Sequence, residues 1–123
     1  MPWNLDNDRP IYLQLMERIQ QDIIAGVYKP GDKIPSVRDL ALDAAVNPNT
    51  MQKALAELER NGLVYSQRTS GRFITEDNEM IKKMKMQLAA EHIRQFFEKM
   101  HQLGFQDEET LEMIQEALKG VRQ

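Results

Sequence analysis

Apolar side chains recur along this chain with two periods, and the changes of period divide it into elements. Between residues 10 and 26, Ile11, Leu15, Ile19 and Ile23 repeat every four positions, the spacing that lines side chains along one stripe of an α-helix. Pro10 suits the first helical position and Gly26 a C-terminal stop. After Pro30-Gly31, a turn signal, a short second helix is predicted from about Ser36 to Asp43, burying Val37, Leu40, Ala41 and Ala44. A third opens at "NPNT", with Asn47 as cap and Pro48 in first position. Met51, Ala54, Leu55 and Leu58 form its i, i+3, i+4, i+7 face, and Asn61-Gly62 ends it. "LVYS" and "RFIT" then read as short strands around "QRTSG", predicting a β-hairpin with Gly71 near its tip. From Asp77 the helical period returns. Ile81, Met84, Leu88, Ile93, Phe96, Met100 and Leu103 make one long stripe closed by Gly104, and Leu111, Ile114, Leu118 and Val121 mark a last helix starting near Asp107.

Three helices, a hairpin and a helical pair predict a mainly α fold. Residues 1–76 have the layout of a winged helix-turn-helix and residues 77–123 that of a two-helix appendage. In a winged helix-turn-helix the third helix enters the major groove of DNA, and its first residues meet base edges or phosphates. Here those positions hold Asn47, Asn49, Thr50, Gln52 and Lys53, opposite the Met51/Leu55/Leu58 stripe. Asn and Gln can pair with adenine through two hydrogen bonds, and Thr and Lys can serve base or phosphate. Taken alone, such residues are equally the caps and wet surface of any helix start.

Charge placement adds a second signal. Ser36 is a natural N-cap with Asp39 three residues on, which puts Arg38 in the first helical turn. A cation there is disfavoured by the helix dipole by about 0.3–1 kcal/mol, and a phosphate beside it would change the sign of that arrangement. The plain alternative is a surface ion pair from Arg38 to Asp39 or Asp32. At the hairpin tip, Arg68 and Arg72 bracket Thr69, Ser70 and Gly71 with no acid among them, which suits a sugar-phosphate edge or a minor groove.

The bulk composition neither adds to this picture nor removes it. Net charge is −3, but residues 1–75 balance nine Lys/Arg against nine Asp/Glu, so the excess acid lies in the C-terminal part. Enzyme chemistry finds little support. There is no cysteine, and the two histidines, His92 and His101, sit about 180° apart around one helix, so they cannot make a close metal pair. No acid–histidine–serine grouping or phosphate-cradling glycine loop occurs. No metal and no cofactor are expected. The absence of cysteine, of a signal-peptide core and of a ~20-residue apolar span fits a cytoplasmic protein without a membrane partner.

At the level of whole motifs the chain resembles a bacterial regulator family. "G-x-Y-x-P-G-D-K-I-P-S-x-R-x-L-A" and "V-N-P-N-T-x-x-K-A-L-x-x-L-E-x-x-G-L-V", followed by a glycine-bearing wing, are similar to the GntR-type winged-helix domain over about 65 residues. The resemblance implies DNA contacts at Ser36 and Arg38, at Asn47, Asn49, Thr50 and Gln52, and at Arg68, Ser70, Gly71 and Arg72. Pro48 stands where some relatives carry a basic residue, so base preference should differ from theirs. A tail of two helices is too short to enclose a ligand cavity of ~300–1,000 Å³. It resembles instead the YtrA-like subfamily, whose tail helices form a dimer and whose controlled genes are often those of membrane transporters.

Helix geometry also points to a dimer. A helix carrying Ile81, Met84, Leu88, Ile93, Phe96, Phe97, Met100 and Leu103 has more apolar surface than one short partner bearing Leu111, Ile114 and Leu118 should cover. A shared two-fold interface is one solution and folding back within a single chain is the other. A dimer would present two recognition helices to half-sites about 34 Å apart or a multiple of that. The expectation is a sequence-specific, homodimeric DNA-binding regulator, with repression as its expected mode. Two rival readings remain: a winged-helix protein-interaction module, and a regulator that senses a small apolar ligand through Met80, Met84, Met86 and Met100.

Overall fold

A computed structural model describes residues 2–122. The elements run α1 (Ile11–Ile24), α2 (Val37–Ala44), α3 (Pro48–Arg60), β1 (Val64–Gln67), β2 (Gly71–Ile74), α4 (Asn78–Gln102) and α5 (Asp107–Arg122). The fold is therefore mainly helical, with one two-stranded antiparallel sheet among the described residues. By its internal contacts the chain divides into two compact units, one through Lys83 and the other from Met84.

In the first unit α3 is the central element, with α1 and α2 packed chiefly against it and β1 alongside. Met51, Ala54, Leu55 and Leu58 on α3 have no exposed surface, and Leu15, Ile19, Ile23, Ile34, Leu40, Ala41, Ala44, Leu63, Val64 and Ile74 are buried with them. At about 1.5–3 kcal/mol for each large apolar side chain fully buried, this cluster is the main source of the unit's stability. Every residue of the predicted α3 face lies in it.

Local chemistry sets the helix ends. Ser36 Oγ accepts the Asp39 N–H (3.1 Å) to start α2, and Asn47 Oδ1 accepts the Asn49 N–H (2.8 Å) to start α3, with Pro48 in the first turn. Asp77 Oδ1 accepts two N–H groups, of Glu79 and Met80, at the start of α4. Pro10 differs from expectation. It is the N-cap of α1, with φ −52° and ψ 131°, and Ile11 is the first helical residue. A missing N–H costs nothing at either position.

Three features had no signal in the periodicity. The turn from α2 to α3 is made by Ala45 in the left-handed conformation (φ 57°), the only non-glycine residue with positive φ among those described. Val46 N–H to Ala41 C=O (3.0 Å) closes that turn. Gln14 is buried within an otherwise apolar stripe, its amide saturated by Asp6 and Arg9: it accepts the Asp6 N–H (2.8 Å) and donates to the Asp6 (2.8 Å) and Arg9 (3.0 Å) carbonyls. Finally, the loop before α2 joins the hairpin. Lys33 forms a bridge with Phe73, Ile34 N–H donates to Arg72 C=O (3.0 Å), and Ile74 N–H donates to Asp32 C=O (2.8 Å).

In the second unit α4 ends at a turn through Gly104 (φ 93°) and α5 follows. Thr110 is fully buried there and donates its hydroxyl to Gln106 C=O (3.1 Å). Met84 is buried, while Ile93, Phe96, Leu103, Leu111, Met113, Leu118 and Val121 are exposed.

Candidate nucleic-acid interface

The hairpin pairs Val64 with Ile74, Tyr65 with Phe73, Ser66 with Arg72 and Gln67 with Gly71. Alternation then buries Val64 and Ile74 and leaves residues 66–71 exposed. Gly71 has φ 108°, and a Cβ there would stand 3.1 Å from Lys33 Cε, so the tip combines a backbone that disfavours side chains with a close neighbour. Because the Lys33–Ile34 segment is hydrogen-bonded to β2, the start of α2 is anchored beside the wing. A groove of about 520 Å³ results, with Lys33, Pro35, Ser36 and Arg38 on one side and Thr69, Ser70, Gly71 and Arg72 on the other.

Two of the predicted cations are uncommitted. Among the described residues Arg38 and Arg68 are exposed and make no hydrogen bond or ion pair. The surface pair from Arg38 to Asp39 or Asp32 does not form. Asp32 instead accepts the Lys29 N–H (2.8 Å). Ser36 and Asn47 serve as caps through their oxygens, which leaves a hydroxyl hydrogen and an amide N–H₂ for other acceptors. Asn49 and Gln52 are exposed on α3, Thr50 is half-buried, and none of the three is engaged through its side chain.

Two other cations are committed. Lys53 Nζ lies 4.0 Å from the centroid of the Tyr12 ring, a cation–π contact that fixes an otherwise free amine against α1. Arg72 is partly buried, and its Nε donates to Glu59 Oε1 on α3. Ser66 Oγ donates to the same oxygen (2.6 Å). The Ser66 hydrogen bond, helped by Arg72, holds the Glu59 carboxyl below the usual carboxylate range against a smaller opposing effect of burial. Glu59 thus ties both strands of the wing to the recognition helix. Thr69, named within the acid-free hairpin tip, lines the groove, and so does Lys33, which was not among the expected contacts. Lys33 lies inside the quoted "PGDKIPS" motif, the one signal that pointed to it.

This arrangement can bind a phosphodiester backbone. The unpaired Arg38 lines the groove, the unpaired Arg68 is exposed at the hairpin tip, next in sequence to the groove-lining Thr69, and free amide donors and acceptors lie on the exposed face of α3. Among the described residues no group of His, Cys, Asp or Glu is placed to hold a metal ion, and no helix is long and apolar enough to cross a membrane.

Comparison with known proteins agrees with the geometry. The sequence model for bacterial regulatory proteins of the gntR family matches residues 11–74, from the start of α1 to the end of the wing. The HTH-type transcriptional repressor YtrA of Bacillus subtilis is 37% identical over 92% of this chain and 88% of its own length. A GntR family transcriptional regulator from Listeria monocytogenes superposes with a TM-score of 0.81 at 36% identity, over 91% of this chain and 98% of that one. The DNA-binding domain of AraR, solved in complex with operator ORE1, matches 61% of this chain and 94% of its own, at 31% identity and a TM-score of 0.53. With three helices and a wing matched to the family across residues 11–74, and a repressor matched over most of the chain, the protein belongs to the GntR family of DNA-binding transcriptional regulators, on its YtrA-like branch.

Proposed function

We propose that this protein is a cytoplasmic transcriptional repressor that binds a two-fold-symmetric operator as a homodimer. The observation that carries the reading is the pair of unpartnered arginines, Arg38 and Arg68, at the start of α2 and the tip of the wing whose residues line one groove. An exposed charge without an ion pair adds nothing to folding, and two of them beside free N–H donors suit phosphate. Asn49, Thr50 and Gln52 are the candidates for base readout. Ser36, Asn47, Ser70 and Gly71 contribute short donors and a close backbone approach. Lys53 lies against Tyr12 and acts first as a support, whereas Arg72, held by Glu59 through Nε alone, keeps its Nη donors for a phosphate in the groove it lines. The chain's relatives are regulators rather than enzymes.

The homodimer is supported by the second unit. Ile93 and Phe96 on α4, and Leu103 beyond it, are 58%, 43% and 71% exposed, and Leu111 and Leu118 on α5 are 52% and 45% exposed. Large apolar side chains left in water at this density mark an interaction surface. Of the other residues expected at the interface, Leu88, Phe97, Met100 and Ile114 in the second unit and Ile81 in the first are half-buried, and Met84 is covered already. Met113 belongs with the exposed set.

The test is selection of bound duplexes from a random pool, followed by salt titration. A two-fold-symmetric motif is expected. Arg38→Ala should weaken all duplexes about tenfold and lower the slope of log affinity against log salt by about 0.9, the share of one neutralised phosphate. Gln52→Ala should change base preference instead. A folded protein that selects no motif and binds no duplex at low salt would leave the interaction-module reading.

A further inference from the structure

Residues 2–9 lie ahead of the part matched to the family, yet several side-chain contacts tie them down. Gln14, 5% exposed, holds Asp6 and Arg9 through its amide. Arg9 pairs with Glu17. Arg18 donates to Pro2 C=O (3.1 Å) and places its guanidinium 4.7 Å from the centroid of the Trp3 ring, while also pairing with Asp22. These contacts fasten the segment along α1. One more leaves α1 altogether. Trp3 Nε1–H donates to Asp43 Oδ2 (2.8 Å), forty residues away in the last turn of α2.

From this we infer that the N-terminal strap sets the pose of α2, with Trp3 as a positioning residue for Arg38. The inference rests on the DNA-binding reading above. α2 has eight residues and buries only Leu40, Ala41 and Ala44, two of them alanines, so with its start held to the wing through Ile34 its roll is set by what holds its far end. α1 and α2 each pack chiefly on α3, and the Trp3–Asp43 bond ties the strap along α1 directly to α2. It grips α2 near its C-terminal end, on an exposed residue. Arg38 projects from the same short rod. A roll of about 20° about the helix axis moves a group at its ~5–6 Å outer radius by roughly 2 Å, several times what a phosphate hydrogen bond tolerates. Among the described residues Arg38 has no intramolecular partner, so the pose of α2 sets only where its Cα–Cβ bond starts and hence which rotamers can reach a phosphate.

The test uses the full chain and the duplex obtained by selection. Trp3→Phe keeps a ring for Arg18 and deletes the N–H donor. It should weaken operator binding by about three- to tenfold, the range of one hydrogen bond, and lower the salt slope toward that of Arg38→Ala. In an Arg38→Ala background the same change should have no further effect, because the group it positions is gone. Asp43→Ala, which removes the acceptor and leaves the Trp3–Arg18 stack, is the second variant and should reproduce the reduced slope. Unchanged affinity and slope in both variants, alongside a weakened Arg38→Ala, would overturn the positioning role while leaving the DNA-binding reading intact. An equal weakening by Trp3→Phe with or without Arg38 would overturn it too, reducing the strap to fold support. If Arg38→Ala itself were silent, the DNA-binding assignment of Arg38 would fall first.

Discussion

Glu59→Gln isolates the bond between wing and recognition helix. The substitution keeps the shape and an acceptor oxygen for Ser66 but removes the charge facing Arg72, whose Nε lies 2.5 Å from Glu59 Oε1. The two side chains are 30% and 21% exposed, so the pair is neither a free surface ion pair, worth ~0–1 kcal/mol, nor a dry one. A charge-assisted hydrogen bond is worth about 1.5–3 kcal/mol, and partial solvation discounts it to about 1 kcal/mol. For a chain of this size that corresponds to a fall in Tm of roughly 3–6 °C. The pH dependence supplies a second reading. The folded-state pKa of Glu59 is depressed, so its contribution is present above the unfolded carboxylate value of about 4.3 and is lost as pH falls through the folded value. Thermal melts followed by circular dichroism at pH 7 should separate wild type from variant. The gap should begin to close below about pH 4.3 and vanish once the folded-state value is passed. Equal stability at pH 7, or a gap unchanged down to the acid limit of folding, would refute the latch.

Two further outcomes follow from the geometry. Gly71→Ala places a Cβ at φ 108°, against Lys33 Cε, and should cost about 1–3 kcal/mol in a denaturant melt. An unchanged midpoint would mean the tip relaxes without strain. Phe96→Glu puts a charge into the exposed apolar face of α4 and should shift the sedimenting species toward monomer while the melt of the first unit stays in place. A variant that still sediments as a dimer would move the interface elsewhere.

The chain's local instructions are legible in its sequence. The Met51/Ala54/Leu55/Leu58 face, the Ser36 and Asn47 caps, the hairpin around Gly71 and the breaks at Gly62 and Gly104 each depend on residues a few positions apart. Period and cap chemistry report such neighbours directly. The strands shifted by one residue, to Val64–Gln67 and Gly71–Ile74, because pairing register rather than composition sets where a strand ends.

What the sequence determined by itself was therefore the order and type of the elements and the apolar inner faces of α1 and α3, but not the burial of Gln14 and Thr110 or the exposure of the α4 and α5 stripes. The tertiary structure alone decided how the outer polar residues are used. Arg38 and Arg68 are free while Arg72 is held by Glu59 and Lys53 by Tyr12; Lys33 joins the loop to the wing; Trp3 reaches Asp43. Each of these partnerships spans from 13 to some 40 residues of chain. A side chain's partner at that range is fixed by where packing of the apolar core leaves the two backbones, and that distance is written in no single stretch of sequence.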